Sequence, residues 1–319
     1  MNDEPPLRLA LIGLGLAGGA MASAARTHPG VRLVTAAEPS AQLRDRFERA
    51  EGLVAHDTLD AVLARPDVDA VYIATPHQLH RDQTVRSAQA GKHVIVEKPM
   101  ALTTADCNDM ITAAGAHRVS LVVGHTHGFD PAVAVMRDIV ASGRYGRFGM
   151  IALWSFTDFL YRPRRPEELD SARGGGIVFN QVPHQVEIAR TIAAVPVRAV
   201  RASAAVLDPA RPTEGSCAAL VEFQGGAVAS LVYSGYDHFD SDELHGWIAE
   251  GGASKTPAHG SARRALRELS PLEERRARTT RFGYGARSPA RPAHQPHFGE
   301  LVVTCAGADL RCGADAGVV

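Results

Sequence analysis

Lysine is nearly missing from this chain. Of its 34 basic residues only Lys92, Lys98 and Lys255 are lysine and 31 are arginine, so a lysine delivered to a pocket stands out. Cysteine is scarce as well: Cys107, Cys217, Cys305 and Cys312 show no C-x-x-C spacing and are too few to staple 319 residues, which excludes a disulfide scaffold and fits a reducing cytoplasm. Net charge is almost absent, with 34 basic against 35 acidic residues, so no global field favours nucleic acid or an anionic membrane, and a small-molecule partner is expected. Residues 9–25 carry no charge, but they hold four glycines and follow Asp3, Glu4, Pro5 and Pro6 where a signal peptide would have basic residues. At 17 residues the stretch barely reaches spanning length, so neither a leader nor a membrane helix is expected there.

What is present is enough apolar side chain, 45% of residues, to bury a core against chain entropy, and a length that favours two domains. From residue 7 to 123 short β-rich apolar runs (8–12, 31–37, 70–74, 93–97, 119–123) alternate with amphipathic stretches opened by Ser, Thr or Asp and closed by Gly or Pro. That is the pattern of βαβ units, and it predicts a doubly wound parallel sheet over residues 1–124. Beyond it the texture changes. A helix over 130–142 and a long one over 181–194 accompany alternating runs at 150–156, 216–223, 227–233 and 301–304, which predicts an α+β domain over 125–319 with a mainly antiparallel open sheet. Residues 253–295 hold Lys255, nine arginines, four prolines and three acids, and read as a solvated, mobile insertion. Strands ending in a hairpin near residue 311 with no closing helix suggest a shortened C-terminus.

The first strand runs into Gly13-Leu14-Gly15-Leu16-Ala17-Gly18, a G-x-G-x-x-G at a strand-to-helix turn, and Glu38 ends the next strand 20 residues past Gly18. The glycines permit a tight turn and close approach of a diphosphate to the helix N-terminus, whose amides and dipole favour negative charge. Glu38 can accept from an adenine-ribose diol and would repel a 2′-phosphate, which favours NAD, while Arg44 one turn later keeps NADP open. A glycine-rich packing turn and a surface carboxylate are the plain alternatives. Thr75, Pro76 and His80 of the segment 74–80, and Glu97 and Lys98 of the Glu97-Lys98-Pro99 turn, fall at the carboxyl ends of strands, where open α/β sheets bind ligands. Lys98 there could hold a substrate hydroxyl, or could simply bridge Glu97.

The first strand with its glycine turn, Ala74-Thr75-Pro76 with His80, the run from Gly91 to Pro99 and the later Gly174-Gly175-Gly176 with His184 resemble, in order and spacing, the glucose-fructose oxidoreductase/inositol dehydrogenase (Gfo/Idh/MocA) family over roughly residues 8–190. The resemblance implies an N-terminal Rossmann domain holding NAD or NADP, hydride transfer at a carbinol carbon, and a C-terminal sheet that mediates homo-oligomers. It assigns Lys98 and His184 to catalysis, together with position 180, where Asn180 stands in place of the usual aspartate. On one helix, residues 180 and 184 share a face, so Asn180 would orient substrate and His184, with an ordinary pKa near neutrality, would be the base. A satisfied core histidine is the alternative.

His125, His127 and the arginine-rich run 162–173, with Arg164, Arg165 and Arg173, look like the phthalate 4,5-cis-dihydrodiol dehydrogenase branch of that family, where guanidinium groups would bind ring carboxylates. Solvated arginines are an equal reading, and a metal held by His125, His127 and His184 has no supporting motif, so none is expected. The expected activity is oxidation of a cyclic vicinal diol, carboxylated as in phthalate 4,5-dihydrodiol. A sugar or inositol dehydrogenase, or a non-catalytic dinucleotide-binding protein, remain the alternatives.

Overall fold

A computed structural model describes residues 5–282, 284, 293–313 and 318. The chain divides into two units: residues up to 124 with 276–282 and 284 form the first, and residues 125–275 with 293–313 and 318 form the second.

The first unit runs β1 (Leu7–Ile12), α1 (Leu16–Thr27), β2 (Val31–Ala37), α2 (Ala41–Glu51), β3 (Ala55–His56), α3 (Leu59–Leu63), β4 (Ala70–Ile73), α4 (His80–Gln89), β5 (His93–Glu97), α5 (Thr104–Ala116) and β6 (Leu121–Gly124). Its six strands are all parallel, in the order β3-β2-β1-β4-β5-β6. The reason is visible in β1, whose residues 9–12 are apolar and buried on both faces: Ala10 and Ile12 join one core with Met110 of α5, and Leu9 and Leu11 join another with Phe47 of α2. The strand order reverses between β1 and β4, so the turns after these two strands open on one crevice at the carboxyl edge. Local signals set the ends: Thr103 accepts from the Asp106 amide at 3.1 Å to start α5, and Gly52, at φ 68°, closes α2.

The second unit contains α6 (Pro131–Ser142), β7 (Phe148–Phe156), α7 (Gly176–Asn180), α8 (Val182–Ala193), β8 (Val197–Ala205), β9 (Ser216–Phe223), β10 (Val228–Ser234), α9 (Ser261–Arg267), α10 (Pro271–Phe282, the first unit taking it from residue 276), β11 (Glu300–Cys305) and β12 (Ala308–Arg311). Its sheet follows the order β12-β11-β7-β10-β9-β8, antiparallel throughout except for β7 beside β10. Val133 and Met136 of α6 and Ile188 and Ile192 of α8 pack on Ile151, Leu153, Leu231 and Val303. Met150, Leu220 and Val200 remain exposed, at 42%, 40% and 58%. β8 escaped the sequence reading because, as an edge strand exposed along most of its length, it shows no apolar alternation.

Two expectations are corrected. The helix expected over 181–194 does not begin from a continuous turn with residue 180: Gln181, at φ −120°, separates α7 from α8, and Pro183 cannot donate to the preceding turn. The stretch 253–295 is not a loose insertion where it is described. Lys255 bonds Asp240 and, at 2.9 Å, Asp242; Arg211 meets Glu274 of α10 at 2.8 Å with both side chains largely buried; Arg263 donates to the Tyr161 hydroxyl. Residues 283 and 285–292 of that stretch lie outside the described residues. Among the described residues no helix is long and apolar enough to cross a membrane; residues 9–25 form β1 and most of α1.

Truncating Leu153, 1% exposed at the centre of β7, to alanine should cost about 2–5 kcal/mol of unfolding free energy, read as a lower urea midpoint with an unchanged slope.

Candidate active site

The crevice of the first unit begins where β1 stops. Gly13 takes φ 97°, and a β-carbon on it would lie 2.7 Å from the Ala74 carbonyl, so only glycine lets the two strand ends approach. A β-carbon on Gly18 would lie 2.1 Å from the Gly13 carbonyl, which pins α1 against the turn. Gly15 caps α1 without any side-chain bond, the first turn carries no acid, and nothing stands within 4 Å of where its β-carbon would be. Beside the exposed Leu16 and half-buried Ala17, that leaves an open helix N-terminus with unspent amides, which fits a dinucleotide diphosphate.

Glu38 closes the other side. Its carboxylate accepts from the Leu14 amide at 2.9 Å and the Ser40 amide at 3.0 Å, which fixes it at the end of β2 with lone pairs remaining for a ribose diol. Arg44 donates to the carbonyls of Glu38 and Pro39 at 2.7 and 2.8 Å, so its guanidinium is engaged by the main chain.

The turns after β4 and β5 are tied to each other. His80 is fully buried, and its two ring nitrogens face the carbonyls of Thr75 and Pro99, each at 3.0 Å. It was expected on the cofactor; here it has no exposed atom and lies between the two turns, and burial pulls its pKa down. Thr75 donates to Gln83 at 2.6 Å and Pro76 is exposed. Glu97 accepts from the Tyr72 hydroxyl and from the Lys98 amide at 3.2 Å, so it holds the end of β5 to β4. Lys98 is half-buried at that strand end.

In the second unit two of the candidate histidines meet. His184, in the first turn of α8, packs edge-to-face on His127 with ring centroids 4.8 Å apart, and Phe298 covers both at 5.0 and 4.6 Å. His127 faces Asp130 Oδ2 at 2.8 Å and Glu250 Oε1 at 3.3 Å. Burial disfavours its charge, but the bonds to these two carboxylates outweigh burial and push its pKa up to about 9. Burial likewise pushes Glu250 up, and the bond from His127 with the charges of Arg162, His127 and His184 outweighs it, bringing the carboxyl to about 2. Arg162 donates to Asp158 at 2.8 Å. Glu250 lines a small cleft with Ser155, Thr157, Tyr233, Asp242 and Phe298. The His127 turn is seated on α8 by Glu187, which accepts from the Gly128 amide at 2.9 Å where any β-carbon would collide with it.

Asn180 donates to the carbonyls of Gly174 and Gly176 at 3.0 and 2.7 Å and so shapes the glycine loop. The break at Gln181 removes the continuous helical turn that was expected to align it with His184. Gln181 is held by the Tyr233 hydroxyl at 3.2 Å. Of the arginines expected on substrate, Arg164 does not reach out: its guanidinium lies 3.8 Å over the Phe159 ring and donates to the Phe159 carbonyl at 2.7 Å. Arg165 pairs with Glu167 and Glu168 of its own turn, both at 3.3 Å, and Arg173 is exposed. His125 is half-buried. Among the described residues no group of three His, Cys, Asp or Glu side chains could hold a metal.

Sequence reasoning missed Asp130 and Glu250 as partners of His127, and passed over Asp158 and its hold on Arg162. The three-residue spacing of His127 and Asp130 was a usable signal; Glu250, 123 residues from His127, offered none.

Because the folded-state pKa of His127 lies above the ordinary 6.5, its contribution to stability is complete below pH 6.5 and disappears as pH rises through about 9. Denaturant melts from pH 6 to 10 should show that decline in the parent protein, and His127→Gln should flatten it.

Residues 7–125 match the family described as oxidoreductase family, NAD-binding Rossmann fold, and residues 133–249 match the GFO/IDH/MocA C-terminal domain. The chain is 38% identical over 311 residues to 1-carboxy-3-chloro-3,4-dihydroxycyclohexa-1,5-diene dehydrogenase of Comamonas testosteroni, covering 95% of this chain and 78% of that protein. It is 31% identical to inositol 2-dehydrogenase of Rhizobium meliloti (strain 1021) over 63% of this chain and 59% of that one. A crystal structure from Bordetella bronchiseptica RB50 shares 47% identity and a TM-score of 0.93, over 98% of this chain and 82% of that chain. With a glycine cradle built for a dinucleotide and both family domains in sequence, the chain belongs to the Gfo/Idh/MocA oxidoreductases and carries their NAD-binding Rossmann domain.

Proposed function

We propose that this dehydrogenase oxidises a carboxylated cyclic cis-dihydrodiol. The observation that carries the reading is likeness to a carboxylated dihydroxycyclohexadiene dehydrogenase along 95% of the chain. A fixed cation in the second unit supports it. Arg162 is held in place by Asp158 at 2.8 Å, and a guanidinium so fixed can pair with a ring carboxylate without being reordered on binding. Glu250 accepts from hydroxyl groups, the complement of a diol.

NAD, when bound, supplies the acceptor for the carbinol hydride. His184 takes the hydroxyl proton, and Lys98 is assigned the oxygen on which negative charge develops. Asn180 keeps the glycine loop in shape; its amide cannot ionise, so the proton is His184's to remove. The ring ketone then tautomerises to a catechol, and the gain of aromaticity draws the oxidation forward.

The solvent-facing side of the second sheet, where Met150 and Leu220 are exposed, supports a homo-oligomer joined through that face. Four free cysteines accord with a cytoplasmic setting.

Reduced nicotinamide should accumulate with NAD and a carboxylated dihydrodiol. Faster turnover of inositols or sugars would transfer the assignment to the polyol members, and no turnover on any diol would leave a binding protein. His184→Ala and Lys98→Met should each lower kcat by roughly 10²–10⁴-fold. His184→Ala should leave NAD affinity as it is in a direct titration. Leu220→Arg should shift sedimentation toward the monomer.

A further inference from the structure

The part of the arginine-rich stretch that belongs to the first unit places Tyr284 in that unit's core. Tyr284 is 2% exposed, its ring meets Phe47 of α2 edge-to-face at 5.4 Å, and its hydroxyl bonds Glu51, whose carboxylate also pairs with Arg26 at 3.0 Å. Gly19 of α1 lies beside it: a β-carbon there would sit 3.8 Å from the ring. The main-chain amide of Tyr284 donates to the Leu14 carbonyl at 3.0 Å.

Leu14 is the residue between the first two glycines of the cradle, and its own amide donates to Glu38 at 2.9 Å. Both peptide planes around it are therefore fixed, one by Glu38 and one by Tyr284. Because the peptide is planar and trans, turning the Leu14 carbonyl toward Tyr284 turns the Gly15 amide the opposite way. A Gly-Leu-Gly segment left to itself samples many conformations, and ordering it on binding costs affinity.

We propose that Tyr284 is a positioning residue for the NAD site: it preorganises Gly13-Leu14-Gly15 and, through Leu14, the ribose-facing carboxylate of Glu38. This rests on the dinucleotide reading of the cradle. It places a determinant of cofactor affinity 270 residues downstream of the glycine motif, in a stretch with no nucleotide-binding signature.

The test titrates NAD calorimetrically into the full-length parent, Tyr284→Ala, Tyr284→Phe and Met110→Ala, with amide hydrogen exchange measured in the absence of NAD. Met110 is fully buried in the core on the other face of the same sheet, so its truncation weakens the unit without touching the cradle. Tyr284→Ala should raise the NAD dissociation constant by about tenfold or more and raise KM for NAD with kcat nearly unchanged. It should also speed exchange of the Leu14 amide. Tyr284→Phe, which keeps the ring and the amide, should stay within about twofold of the parent. Met110→Ala should lower the melting temperature and leave NAD affinity alone. Equal effects of Tyr284→Ala and Met110→Ala on affinity, or unchanged Leu14 exchange in Tyr284→Ala, would overturn the proposal. A parent that binds no NAD but still shows Tyr284-dependent exchange at Leu14 would overturn the dinucleotide reading, and with it the affinity role, while leaving the contact as packing only.

Discussion

A main chain can bind a diphosphate only where it leaves amides unspent and keeps side chains out of the way, and the first unit is organised around that constraint. Gly13 and Gly18 bring backbone to within distances that no β-carbon tolerates, and the uncapped first turn of α1 is the result. In the same unit Thr58 and Thr103 cap α3 and α5, whereas α1, like α2 and α4, has no side-chain cap. Leaving α1 uncapped sacrifices local stability, which the buried packing of Leu9, Leu11 and Leu14 offsets.

The second unit solves a different problem, keeping charges in place beside a cleft that is partly shielded from water. Each cation there has a carboxylate partner of its own: His127 has Asp130 and Glu250, Arg162 has Asp158, Lys255 has Asp240 and Asp242. Removing one member would leave its partner half-buried and uncompensated, so these residues act as a set. The aromatic face of Phe298 over both histidines limits the water that reaches them.

The parallel sheet was legible because the residues that build it are local: apolar runs buried on both sides, glycine turns and capping threonines each announce themselves within a few positions. The glycine cradle and Glu38 were legible for the same reason, being two ends of one βαβ unit. The surroundings of Arg164, Arg165 and His80 were not legible, because a charge or ring in a motif looks alike whether it faces a ligand or a carbonyl. Only the fold reveals that Phe159, Glu168, Thr75 and Pro99 already occupy them. Glu250 and Tyr284 could not be found from sequence, since their partners lie 123 and 233 or more residues away and no periodicity links them.

The seating of Tyr284 among Leu14, Phe47 and Gly19 also bears on how the chain matures. A ribosome releases the strands and helices of the nucleotide domain long before it reaches residue 284, so the newborn domain begins with a gap between α1 and α2 where a tyrosine ring belongs. Until the later segment is synthesised, Phe47 has no tyrosine ring to pack against, so the closing of this core waits on translation of a distant part of the chain.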